Sequence, residues 1–578
     1  MQLIIFIIVS VFNFYSYSAE IMKTSELQAG MHGYGLSVFK GTSPERFEVD
    51  ILGVLHKARN GKDLIIAKLS GCGLEQTGVI AGMSGSPVYI SNKLIGAVAF
   101  SWGFAKEPIA GITPVEDMFE IFNYSKSTNT LPILKGGWIE KNPQQFKRIL
   151  TPLIVTGSSE DLLSLLYPEL QKMGFEPVLG GESSSSVSST EKQEFDNLIP
   201  GASVAVRLIT GDFQLSGIGT VTWRQNDRIL IFGHPLFLNG SCNFPVAESE
   251  IITVMPGYSS SFKIGSAGRI VGTAIQDRPT GVSCLIGKIP DMIPLSVKVS
   301  YGDIQRNFKC EIVDDASHFS FFTAFVISSA LLRDKAAFER NALFLKFNID
   351  LGDAGILEWT DLYSNLTAAE NVWSSINEST SIIESLIYNP FKSIKIKSIE
   401  VSAIQADRIQ IADILNLKLM TDKDIFPGDE ITLEVSFYEY QGNIKKTNIT
   451  LKLPEDIPEG NLTLIFSSAQ NEDSFGYLIS PESTEIKSWD DFLKKLIFER
   501  PRNNECSIWG ITRQNTLSIK GERFDTIPKS RFKILMNMKE DVQTVLPVKF
   551  RERFYLPFVV NGIKKININI KRKVFRSE

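Results

Sequence analysis

The chain has 578 residues, 43% of them apolar, 22% charged and 10% aromatic, and a formal net charge of −5. Its 42 Gly and 25 Pro are an ordinary globular share, which excludes a collagen-like, coiled-coil or wholly disordered chain. The charge excludes a chain that is basic throughout and binds nucleic acid by that means, and the length suggests three or four domains at roughly 100–200 residues each.

In chain order, Leu3 to Phe14 (LIIFIIVSVFNF) is a compact apolar run, followed by the small residues Ser16 and Ser18. It is too short for a membrane span and suits the core of a signal peptide over residues 1–18, with a mature start near Ala19. A buried N-terminal strand is the competing reading, since Met1–Gln2 carries no Lys or Arg. From Gly33 to Phe119, short apolar runs are broken by Gly, Asn and Pro. Phe47–Leu55, Leu64–Leu69, Val88–Ile90 and Leu94–Phe100 read as strands, with Ser91–Asn92–Lys93 as a turn. Ser158–Ser159 caps a helix through Met173, and GGESSSSVSST (180–190) reads as an exposed loop or linker.

A second strand-rich block runs from Ala202 to about Asp350. Its longest neighbouring apolar run, Phe319–Leu332, is too short to span a membrane. Thr367 with Glu370 forms a capping box for a helix that ends before Pro390. Pro427–Gly428–Asp429 is a turn before the period-2 stretch ITLEVSFYEY. A short helix at Ser488–Phe498 leads to a last strand-rich segment, whose basic KKININIKRK reads as a solvated edge strand. The cysteines Cys72, Cys242, Cys284, Cys310 and Cys506 are scattered. No CxxC pair or Cys/His cluster points to zinc. Export would permit disulfides, whose pairing the sequence does not give.

The segment with chemistry in it is Gly82–Met83–Ser84–Gly85–Ser86–Pro87, set between GVIA and the strand VYI. Its glycines allow a tight turn that exposes a serine oxygen and aims the N–H groups of Gly82 and Ser84 at one point, where they would hold an oxyanion. A plain Gly/Ser hairpin is the alternative. Serine needs a base, and the whole chain offers four histidines: His32, His56, His234 and His318. His234 lies in GIGTVTWRQNDRILIFGHP (217–235), a strand, a turn at Asn226–Asp227, a strand and then Gly-His-Pro. That places it just past a strand end, facing a cleft. His32, His56 and His318 read as surface or satisfied core residues, with His56 a weaker candidate base. Asp277, in GTAIQDRPTG after a strand-like run, is a candidate for orienting the imidazole. An ion pair with Arg278 or a loop cap would explain it equally, Asp212 and Asp227 are alternatives, and a Ser/His dyad without an acid stays open.

The context of the serine is G-x-S-G-x-P, a hairpin, then IAGITP, and it resembles the serine-bearing barrel of chymotrypsin-like peptidases. HGYGLSVFKGTSPERFEVDILGVL (32–55), LEQTGVIAGMSGSPVYISNKLIGAVAF (74–100) and EPIAGITPVEDM (107–118) resemble the SpoIVB-type serine peptidase family more closely. The resemblance implies Ser84 as nucleophile, Gly82 at the oxyanion position and, from a similar hairpin ending in Gly-His, His234 as base. In the sporulation peptidase that names the family the histidine segment precedes the serine segment, whereas here Ser84 precedes His234.

The fold expected is mainly β: two small trypsin-like β-barrels in permuted order, then β-sandwich-like C-terminal modules with a few short helices. The divisions expected after the signal peptide are a serine-bearing barrel over 19–125 and a linker with a helix and a Ser-rich loop over 126–200. A histidine-bearing barrel over 201–350, a helical connector over 351–395, a β-sandwich-like module over 396–480 and a short helix plus β-rich module over 481–578 follow. The function expected is an exported serine endopeptidase, located in the bacterial periplasm, cell envelope or outside the cell. It would act on a protein or peptide substrate, the chain itself included, with no cofactor, metal, nucleic acid or membrane span after signal cleavage. Ser84 and His234 should then lie within hydrogen-bond reach. The alternative is an inactive envelope or surface scaffold that keeps the peptidase fold, suggested by the inverted order, the lack of an evident PDZ module and the large β-rich C-terminal half.

Overall fold

The computed structural model describes residues 20–59, 61–103, 105–124, 146–181, 197–333, 342–468, 470–472, 486–512, 516–519, 522–524, 527–537, 542–545 and 547–572. The signal-peptide expectation for 1–18 and most of the Ser-rich loop therefore lie outside the described residues. The chain is mainly β, at 53% strand, and divides into two compact units. One comprises Met1–Pro294 with Lys309–Phe322, the other Leu295–Phe308 with Thr323–Glu578.

The first unit opens with β1 (His32–Ser37), β2 (Glu45–Arg59), β3 (Lys62–Ser70), the two-residue β4 (Ile80–Ala81), β5 (Pro87–Ile90), β6 (Lys93–Ser101), β7 (Ile109–Pro114) and β8 (Lys147–Arg148). Six of them pair in the order β5-β1-β2-β3-β7-β6, and β5 also pairs with β6, so the barrel closes and no edge is left. Alternation in β2 builds its core: Phe47, Val49 and Ile51 point inward, while Glu48 and Asp50 stay outside. They meet Ile65, Ala67, Val88, Ile90, Val98 and Ile112 in one cluster. The hairpin between β5 and β6 turns on Ser91 and Asn92 at φ 48° and 62°, the left-handed pair that suits the twist of a two-residue hairpin.

Next come β9 (Thr151–Thr156), a helix over Glu160–Lys172 and β10 (Phe175–Leu179), which runs parallel to β9. The Ser159 side chain caps that helix by accepting the Leu162 N–H at 3.3 Å. The remaining strands of this unit are β11 (Ser203–Gly211), β12 (Gln214–Gln225), β13 (Arg228–Ile231), β14 (Gly240–Met255), β15 (Ser261–Arg278) and β16 (Gly281–Ile286). They pair as β12-β13-β16-β15-β14-β11, and β11 pairs again with β12, giving a second ring of antiparallel pairings. Asn226 and Asp227 form the two-residue turn between β12 and β13, with Asn226 at φ 54°. β4 leaves the first barrel and pairs in parallel with β15, Ala81 opposite Phe262. That pairing carries the serine turn, residues 82–86, from the first strand system to the second.

In the second unit, Leu295–Tyr301 pairs with Ser398–Ala406, which pairs with Ala342–Asp350 and through it with Ile356–Ser364. Thr367 caps the helix Ala368–Ile387 by accepting the Glu370 N–H. The stretch Glu430–Glu439 alternates as its period predicts, burying Ile431, Leu433, Val435 and Phe437. Two four-stranded sheets share a single core in which these residues meet Leu462, Leu464, Phe466, Ile508, Val560 and Ile570. The basic strand Ile563–Ile570 lies at the edge of its sheet, with Lys564 and Lys565 exposed. The run Phe319–Leu331 is helical over 13 residues, and among the described residues no helix is long and apolar enough to cross a membrane. All five cysteines are free thiols.

Candidate active site

The serine turn is a left-handed construction. Gly82 and Gly85 have φ of +98° and +95°, a region that side chains resist. A methyl group on Gly85 would lie 2.0 Å from Thr220 O and 2.6 Å from Phe232 N. The backbone of the turn is thus pressed directly onto β12 and onto the residues leading to His234. Three bonds hold it there: Thr220 N–H donates to Ser84 O at 2.9 Å, Thr220 Oγ1 to Gly82 O at 3.0 Å and Thr222 Oγ1 to Gly85 O at 2.7 Å. Within the turn, the N–H groups of Met83, Gly85 and Ser86 bond to the carbonyls of Ile80, Val98 and Met83. Those of Gly82 and Ser84 bond to no backbone carbonyl among the described residues.

His234 comes off the end of β13 through two left-handed residues, Phe232 at φ 69° and Gly233 at 68°. Positive φ in a Phe is costly. Here it is held by the Phe232 ring, which occupies the space a side chain on Gly219 would need, and by Thr113 Oγ1, which donates to Gly233 O at 2.6 Å. The imidazole is buried, with 1% of its surface exposed. Its Nδ1 lies 2.8 Å from the carbonyl of the next residue, Pro235. A carbonyl only accepts, so Nδ1 carries the hydrogen and Nε2 presents a bare lone pair. Burial, reinforced by the positive charge of Arg148, lowers the imidazole pKa to about 3, so the ring is neutral across the neutral range.

The structure therefore packs the turn that carries Ser84 against the residues that lead to His234, at a junction of two strand systems. It does not join the two side chains: Ser84 Oγ and His234 Nε2 are both buried and each lacks a hydrogen-bond partner. The bond expected between them is not formed, and Ser84 is 0% exposed.

Asp277 is a correction. It does not orient the imidazole: its carboxylate accepts four backbone N–H groups, Leu236 on Oδ1 at 2.8 Å and Phe237, Leu238 and Asn239 on Oδ2 at 2.7, 2.7 and 3.3 Å. It is the cap of the loop that follows His234, as the competing reading had it. Burial raises its pKa, opposed by those four donors. Asp212 accepts from Lys309 N–H at 2.7 Å, and Asp227 stands in its hairpin turn. The other histidines are engaged elsewhere: His32 pairs with Asp50 and His56 with Asp63 on the exposed surface. His318 sits 2.6 Å from Asp315 and packs on Phe237.

Residues 10–118 match the family model of the SpoIVB peptidase S55 family. This segment of the chain is similar to that family. The S55 match contains the whole serine turn and ends before His234. No curated protein and no solved structure shows significant similarity to the chain.

Two parts of the site carry no signal in residue type. The acceptor for His234 is a backbone carbonyl, which any residue supplies. The other is Lys263 on β15, which is 0% exposed and runs beneath the turn of the S55 segment. Its Cγ and Cδ would lie within 3.2 Å of a methyl group on Gly82. Lysine in a strand reads as an outward residue, but alternation in β15 puts Lys263 on the same face as the buried Ser261 and Gly265, and the serine turn covers it at Gly82.

Proposed function

We propose that the chain is an exported serine endopeptidase that works through an acyl-enzyme on Ser84. The single observation that carries this reading is the pair of buried, unpartnered atoms at one junction. Ser84 Oγ needs an acceptor for its hydrogen, and His234 Nε2 is a bare lone pair held in the correct tautomer. In the reaction, Ser84 Oγ attacks the peptide carbonyl as its proton passes to Nε2. The oxyanion then takes up the free N–H groups of Gly82 and Ser84. Collapse of this adduct breaks the C–N bond, and the imidazolium returns its proton to the leaving amine. Water, deprotonated by the same Nε2, then frees the acid product and restores Ser84. Substrate entry requires the junction to open, because both side chains are enclosed. Export is supported by the apolar run in residues 1–18, and protein substrates by the S55 family.

That enclosure favours a second reading, in which the chain keeps the peptidase scaffold for binding alone. A fluorophosphonate probe separates the two. Covalent labelling of the wild type that is lost in both Ser84→Ala and His234→Ala supports the peptidase. A folded wild type that takes no label under any condition supports the scaffold.

A further inference from the structure

The serine turn rests on a buried lysine that no carboxylate pairs with among the described residues. Lys263 Nζ and Ser37 Oγ are hydrogen-bonded at 2.9 Å. Ser37, the last residue of β1, is itself 0% exposed and receives a bond from Ser86 Oγ at 3.0 Å. Ser86 lies two residues beyond Ser84. A chain of three side chains thus links the turn to β1 and β15 beneath the nucleophile.

The donors and acceptors of this chain fit one charge state better than the other. A hydroxyl has one hydrogen and two lone pairs. If Lys263 is an ammonium, Ser37 Oγ accepts from both neighbours. Its own hydrogen then has nowhere to go, whereas the two remaining Nζ hydrogens go without an acceptor in either charge state and decide nothing. If Lys263 is an amine, its lone pair accepts from Ser37, which accepts from Ser86, and each hydroxyl hydrogen has a place. The surroundings agree. Ser37, Gly82 and the ring of Phe39, 5.9 Å from Nζ, lie against the lysine. Pro152 lies against the same face of Gly82. None of these is titratable, and Phe39 alone favours a cation, at the outer limit of such contacts. Burial acting by itself lowers the amine's pKa to about 7.

We propose that Lys263 is a positioning residue for Ser84: as an uncharged amine it ends the hydrogen-bond chain from Ser86 through Ser37 that fixes the serine turn, and taking up a proton breaks that chain. The inference rests on the peptidase reading for its effect on reactivity. Its consequence is an acid limb in the reactivity of Ser84 that belongs to Lys263 and not to the imidazole.

The test measures the rate of fluorophosphonate labelling of the full chain from about pH 5 to about pH 9. Wild-type labelling is expected to fall about tenfold per pH unit below a midpoint near 7. Lys263→Met fills similar space and cannot titrate, so its labelling rate should not vary over that range. If the limb persists in Lys263→Met, it belongs to another group and the proposal is overturned. A second measurement stands apart from catalysis and from the folding of the variant: the ¹³Cε shift of Lys263 in lysine-labelled protein, expected to titrate near 7. A midpoint at the ordinary lysine value, about 10, overturns the amine whatever the probe does. Wild type that titrates near 7 but never labels overturns the peptidase reading, and with it the positioning role.

Discussion

The imidazole of His234 donates from Nδ1 to the carbonyl oxygen of Pro235, its own neighbour in the chain, at 2.8 Å. A backbone carbonyl fixes the tautomer as a carboxylate would, but adds no negative charge. The Pro235 carbonyl offsets only part of the cost of burying an imidazolium, and the nearby Arg148 increases that cost. The consequence is a testable acid sensitivity. An unfolded histidine takes up a proton near pH 6.5, whereas the folded one resists until about 3. Between those values the unfolded state binds more protons, so stability is full above the unfolded pKa and falls as the pH drops through the window. His234→Asn should flatten that part of the curve, measured by denaturation from pH 7 to pH 4. A variant as acid-sensitive as the wild type would show that His234 is not buried in its neutral form.

Asp277 acts on the site at one remove. Its four bonds tie down the loop that begins at Leu236, immediately after the carbonyl that holds the imidazole. Asp277→Asn puts an amide NH₂ in front of N–H donors, and each donor left without an acceptor costs about 1–3 kcal/mol. The expected outcome is a clear loss of thermal stability with slower labelling and an unchanged pH profile. An acid that oriented the histidine directly would behave differently. Its amide would leave the fold intact and cut reactivity by about 10⁴-fold through the wrong tautomer.

The contrast between Asp277 and His234 shows what the sequence could carry. Features set by neighbours in the chain are legible: the caps Ser159 and Thr367, the Asn226–Asp227 turn and the alternation of Phe47, Val49 and Ile51 each follow from local chemistry. Ser84 is legible because its turn needs glycines at fixed offsets, and His234 because a strand delivers it. The partners are not, since they are decided by contacts distant in sequence or by backbone atoms. Asp277 finds amides, His234 finds a carbonyl, and Lys263 is covered by the serine turn, a segment distant in sequence. The pairing of β4 with β15 likewise seats the serine turn against the residues that lead to His234.

The clamp of β12 on the serine turn should be the most sensitive packing feature of the first unit. Thr222 Oγ1 and Gly85 O lie 2.7 Å apart, and both residues are buried. Thr222→Val keeps the shape but leaves that carbonyl without its hydroxyl donor, at a cost of about 1–3 kcal/mol. Gly85→Ala is worse, because its methyl would lie 2.0 Å from Thr220 O, a backbone atom that cannot rotate away. We expect Thr222→Val to fold with a lowered denaturation midpoint and slower Ser84 labelling. Gly85→Ala should abolish labelling even where protein is recovered. Full labelling in Gly85→Ala would mean that the turn is not seated on β12.

The second unit carries an acid–base feature of opposite sign. Asp361 is 3% exposed and accepts the Asn503 N–H at 2.9 Å and its side-chain amide at 3.2 Å. Glu378 lies beside it, bonded to Tyr363 OH at 2.5 Å and to Arg500 Nε at 2.9 Å. Burial first, and the charge of Glu378 second, raise the Asp361 pKa well above the carboxylate range. The folded state therefore holds a proton that the unfolded state releases near pH 4. Stability from this proton is complete below that value and declines as the pH rises toward the raised folded pKa. Asp361→Asn mimics the protonated form. Relative to wild type it should gain stability steadily as the pH is raised from about 4 toward neutrality, and the two proteins should converge in acid. Parallel curves for the two across that range would show that Asp361 is ionised in the fold, with Asn503 and Arg500 sufficient to hold its charge.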